Sequence, residues 1–74
     1  MSRYVVSLGD GDFLREGKPY VVQGEYYPPI GSLKEAKIFE SKKRAERACL
    51  NRGVTRCGAV VMEIDDNGNL IKEN

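Results

Sequence analysis

Ala36-Lys37-Ile38-Phe39-Glu40-Ser41, followed by residues 42–52 and then Gly53, is the stretch that decides the fold. It reads as a short strand, an N-cap serine, an amphipathic helix and a closing glycine. A single helix from Leu33 onward is the rival reading, because Ser32-Leu33-Lys34-Glu35 matches a capping box. In one long helix, however, Ile38 and Phe39 would be followed at i+3 and i+4 by Ser41, Lys42 and Lys43, which breaks the apolar stripe. Starting afresh at Ser41, the stripe Ala45, Ala48, Cys49 is clean. Gly53 then falls where a C′ residue with positive φ is wanted. The spacing therefore predicts strand, then helix.

Outside this stretch the chain reads as strands. Tyr4, Val6 and Leu8 alternate with Val5 and Ser7, and Gly9-Asp10-Gly11-Asp12 is a tight turn returning through Phe13-Leu14. Tyr20, Val22 and Tyr26 share a face of a third run, with Gly24 as a bulge or close approach. Val60, Met62 and Ile64 alternate with Ala59, Val61 and Glu63 in the strongest strand. Asn67-Gly68 suits a primed hairpin turn, and Leu70-Ile71 returns as a short edge strand. The expected order is β-β-β-(β)-α-β-β: an α+β fold with one helix packed on one face of a mainly antiparallel sheet of four or five strands. The other face is expected to be solvated. The expected core holds Tyr4, Val6, Leu8, Tyr20, Val22, Ile38 or Phe39, Ala45, Ala48, Cys49, Val60, Met62 and Ile64.

With 74 residues, positions 1–74 form a single small domain; a chain of this size buries only about 60% of its unfolded surface. Hydrophobic residues make up 41% and charged residues 31%, which argues against a disordered chain. The longest apolar run, residues 59–62, is too short to span a bilayer, so no membrane is expected. Met1-Ser2-Arg3-Tyr4 lacks an apolar h-region, so the expected location is cytoplasmic and Cys49 and Cys57 are expected as thiols, though a bridge between them stays open. There is no histidine, which removes the commonest general base and zinc ligand together.

Strand, then A-x-x-F-x-S-x-x-x-A, then a helix ending in glycine and a β-branched strand resembles small bacteriophage and prophage proteins. Ala36, Phe39, Ser41, Ala45 and Gly53 carry the pattern. The resemblance covers residues 36–64 and implies a small accessory binder that acts on a host protein. It transfers no functional residues.

The net charge of +1 hides an asymmetry. Residues 34–56 hold eight Lys/Arg against three Glu, whereas the rest holds four Lys/Arg against eight acids. Lys42, Lys43 and Arg44 open the helix where acids are preferred, and with Arg47 they form a candidate anion- or partner-binding face. The same cations also read as a solvated face, eased by Glu40 and Glu46. Tyr26, Tyr27 and Ile30, around Pro28-Pro29, are the candidate protein contact; the competing reading folds this loop back over the sheet. Gly9-Asp10-Gly11-Asp12 lacks the third glycine of a phosphate loop, and Asp65-x-Asn67-x-Asn69 lacks the glycine and distal glutamate of a calcium loop. No catalytic or metal-ligating set is present and no cofactor is called for, so an enzyme is not expected. The expected function is a non-catalytic binding protein that occupies a surface of a host protein or complex, with inhibition of a defence or transcription complex as one form. Nucleic-acid binding through the basic helix, and a homodimeric or virion-associated structural role through an edge strand such as Leu70-Ile71, are the alternatives.

Overall fold

The computed structural model describes residues 2–51 and 53–71. Six strands, β1 (Arg3–Gly9), β2 (Asp12–Leu14), β3 (Tyr20–Val22), β4 (Glu25–Tyr27), β5 (Ile30–Gly31) and β6 (Val60–Ile64), accompany one helix, α1 (Lys42–Ala48). The main sheet is antiparallel, in the order β5-β2-β1-β6. β3 and β4 form a separate two-stranded hairpin. This is the α+β fold with one helix that the sequence predicts.

β1 is the centre of the molecule. Val5 and Val6 are both fully buried because consecutive side chains of a strand point to opposite faces and both faces of this one are covered. Val6 and Leu8 pack with Leu14, Phe39, Ala45 and Val54 beneath the helix. Val5 packs with Phe13, Ala36 and Ile64 on the far side, where Leu33, Met62 and Leu70 close over them. The expected solvated face is thus a second, smaller core.

That second core reverses the predicted phase of β6. Register sets the sides: Val6 faces Val61, while Val5 faces Met62 and Arg3 faces Ile64. Val61 therefore belongs to the helix side, Met62 and Ile64 belong to the far side, and Val60 is exposed. Alternation fixes which residues share a face but not which face is which when both carry apolar side chains.

Residues 36–39 do not form a strand. Ala36 and Phe39 make single bridges, to Arg15 and Tyr4, as the chain crosses from β2 to β1. Tyr4 and Phe39 exchange both backbone hydrogen bonds at 2.8 Å, and Phe39 rather than Ile38 enters the core. The Ser32–Glu35 capping box does form, but over a single 3₁₀ turn, Leu33–Glu35. Ser41 takes the extended N-cap conformation of α1 without a side-chain hydrogen bond.

The helix is shorter than predicted and ends at Ala48. After it, Leu50 and Asn51 bond three residues back, to Arg47 and Ala48, so the last turn tightens and stops. Its apolar stripe has run out by then: Leu50 is 76% exposed. Arg52, expected as its last residue, lies outside the described residues.

The Asn67-Gly68 turn is not a two-residue hairpin. The Asp65 carboxylate accepts from the backbone N–H groups of Asn67 and Asn69, both at 2.9 Å, and holds a longer loop. Leu70 returns as a single bridge to Ile64 with its side chain against the far core, so Leu70-Ile71 is a bridge rather than the short edge strand expected.

A candidate protein-binding arm

β3 and β4 project as an arm, and the molecule measures 39 × 23 × 21 Å. The two triplets Tyr20-Val21-Val22 and Glu25-Tyr26-Tyr27 flank Gln23-Gly24, whose φ angles are +53° and +81°. Positive φ at both central residues makes a primed turn, which matches the twist of the flanking strands. Gly24 is therefore a turn residue rather than a bulge. Glutamine is unusual at positive φ, which hides the hairpin from a reading that looks for Asn-Gly or Asp-Gly.

All three residues of β3 are exposed: Tyr20 53%, Val21 55% and Val22 48%. The sequence places Tyr20 and Val22 in the core, and the structure places them on the surface. A strand of a two-stranded ribbon has no second layer to bury its apolar face, whatever its β-propensity. The rings of Tyr20 and Tyr27 stack across the arm at 5.6 Å with 17° between planes, and the Tyr27 hydroxyl donates to Glu25 Oε2 at 3.2 Å.

The base of the arm is fixed. Pro28 and Pro29, expected in an exposed loop, are buried. Pro29 O accepts from Arg15 N at 3.0 Å, and Gly53 lies directly against the Tyr26 carbonyl. A small cavity of about 110 Å³ remains there, bordered by Arg15, Pro19, Pro28, Pro29, Phe39 and Val54. Of the predicted contact residues, Tyr27 and Ile30 are exposed and Tyr26 is half-buried, in β4 and β5 rather than in a loop. Tyr26 and Tyr27 pair across the arm with Val21 and Tyr20, and Tyr20 and Val22 are surface residues that sequence reasoning placed in the core.

The predicted cation face is divided. Lys42, Lys43, Arg44 and Arg47 are all exposed on α1. Arg44 borders an open groove of about 500 Å³ with Arg3, Lys37, Ile38, Phe39 and Glu40. Arg3 and Lys37 come from β1 and from the crossing segment, so no sequence spacing reveals this grouping. Lys37 Nζ sits 5.3 Å from the centre of the Phe39 ring, within cation–π range.

Both cysteines are free thiols. Cys49 is half-buried at the helix end; burial, and secondarily the charge of Glu46, pushes its thiol pKa up. Cys57 is exposed and donates from Sγ to the Gly53 carbonyl at 3.3 Å. Among the described residues no group of three Cys, Asp or Glu side chains is placed to hold a metal ion, and no helix is long and apolar enough to cross a membrane.

Comparison with protein-family models, curated proteins and solved structures returns no match for the chain.

Proposed function

We propose that this chain is a non-catalytic binding protein that seats its β3–β4 arm on the surface of another protein and blocks that surface by occupying it. The observation that carries this reading is the arm itself: a tyrosine stack and three exposed β3 residues on a base fixed by Pro28, Pro29 and Gly53. Exposed apolar groups that remain ordered lose little conformational entropy on binding, which favours them as anchors. In keeping with the phage-type resemblance, the target is a host protein or complex. Capture of partners from a host lysate on tagged protein, with and without nuclease, tests the reading. A stoichiometric protein that survives nuclease supports it, and recovery of no protein opposes it.

A second reading has its own observation. Arg44 meets Arg3 and Lys37 along one groove, which fits an anionic polymer such as nucleic acid. Partners lost on nuclease treatment, with steep salt dependence, would favour this groove over the arm.

A further inference from the structure

The loop after β6 carries a chemically reactive pair. Asn51 precedes Arg52 and Asn69 precedes Leu70, whereas Asn67 precedes Gly68. Asparagine before glycine is the pair most open to attack by the following backbone nitrogen on the side-chain amide, because glycine has no Cβ to crowd that nitrogen. Asn67 is exposed. Asp65 holds the loop closed. Its carboxylate accepts from Asn67 N and Asn69 N, both at 2.9 Å. Its carbonyl accepts from Gly68 N at 3.0 Å, and its own N–H donates to the Asn69 carbonyl at 2.9 Å. The Gly68 nitrogen, the atom that must attack, is thus held against the Asp65 carbonyl.

We propose that Asn67 is a self-modification site gated by Asp65: when the loop opens, Asn67 deamidates, and the Leu70 return then comes off the far core. In the open loop the Gly68 nitrogen bonds to Asn67 Cγ and the Cγ–Nδ2 bond breaks. Ammonia leaves, carrying the proton from Gly68 N. Solvent water opens the resulting cyclic imide. Opening at Cγ gives aspartate; opening at the backbone carbonyl carbon gives isoaspartate, whose main chain runs through Cγ. The inference stands apart from the arm, so its failure leaves the binding reading untouched.

The structure sets what each product does. Isoaspartate adds a methylene to the main chain between Asn67 N and Asn69 N, the two groups that converge on Asp65 Oδ1. The lengthened chain no longer presents both to one oxygen, so the clamp does not re-form. Downstream of it, Leu70 bridges Ile64 and packs on the far core, and Ile71 N donates to the Glu63 carbonyl at 3.0 Å. A short return held by so few bonds opens at the low end of the stability range once its loop is released. Aspartate keeps the backbone but sets a third carboxylate beside Asp65 and Asp66. Either product lowers the formal net charge of +1 by one, so isoelectric focusing separates it from the parent chain.

Ageing the purified full chain at mildly alkaline pH, followed by peptide mass mapping and amide hydrogen exchange, tests this. The wild type is expected to gain acid at Asn67 before Asn51 or Asn69, as a mixture of aspartate and isoaspartate. Asp65→Ala removes the carboxylate clamp and should speed the reaction about tenfold. Asp66→Ala removes a neighbouring charge but no loop hydrogen bond and should leave the rate unchanged. If Asp65→Ala does not fold, wild type in urea below its global transition gives the same readout, with a rate that rises with urea. In the isolated isoaspartate product the Ile71 N–H should exchange faster than in the parent, while Asn67→Gln aged alongside keeps its protection. Acid appearing first at Asn51 or Asn69, a rate unmoved by both Asp65→Ala and urea, or equal effects of Asp65→Ala and Asp66→Ala would overturn the gating. Full protection of Ile71 N–H in the isoaspartate product would overturn the release of the Leu70 return.

Discussion

Gly53 lies so close to Tyr26 that a Cβ there would overlap the Tyr26 carbonyl oxygen and stand 2.9 Å from its carbonyl carbon. Gly53 also has φ +83°, a conformation that other residues adopt only with strain. This contact joins the end of the helical segment to β4 and sets the direction of the arm. Gly53→Ala should therefore destabilise the fold by about 2–4 kcal/mol, from φ strain and backbone overlap together. For a domain of this size that lowers Tm by roughly 10 °C or more. A thermal melt within a few degrees of wild type would show that the contact does not constrain the arm.

The sequence assigns Gly53 a different role, as the C′ residue of a helix running through residue 52. Its positive φ is legible from local rules; its partner, 27 residues earlier in the chain, is not. The same division runs through the molecule. The strands around Val6 and Val61, the helix stripe ending at Cys49 and the capping box at Ser32 are short-range patterns, and all are present. Which face of β6 meets the helix depends on a second core built by Leu33, Met62 and Leu70. The exposure of Tyr20 and Val22 depends on the hairpin leaving the sheet. Both are long-range outcomes, and the candidate arm was partly hidden for that reason: its Tyr27 was legible, the exposure of its Tyr20 and Val22 was not.

Glu35 makes the capping box sensitive to acid. The Ser32 backbone N–H donates to Glu35 Oε1 at 3.1 Å and the Ser32 hydroxyl at 3.2 Å. These bonds, with a smaller contribution from the charge of Arg15, hold the carboxyl below its ordinary 4.5. A carboxyl with a lower pKa in the folded state contributes stability above 4.5, and that contribution is lost as pH falls through the folded value. Glu35→Gln should thus melt below wild type at neutral pH, and the gap should close as pH falls below 4.5. A gap that is constant with pH would contradict the assignment.

Under limiting iodoacetamide at mildly alkaline pH, Cys57 should react before Cys49. Cys57 is exposed, whereas Cys49 is half-buried with a raised pKa, so less of it is thiolate. Raising the pH should accelerate labelling of Cys49. Peptide mass mapping of the singly labelled species checks this order; equal labelling at both positions would contradict it.

The most direct test of the central claim compares wild type with Tyr20→Ser/Val22→Ser for partner capture from nuclease-treated lysate and for thermal stability. These side chains belong to neither core, so the double substitution should cost about 1 kcal/mol, mainly from the lost tyrosine stack. The account predicts that the captured protein disappears while the melt and the circular dichroism spectrum stay close to wild type. Retention of the partner by the folded variant would show that the arm is not the binding element.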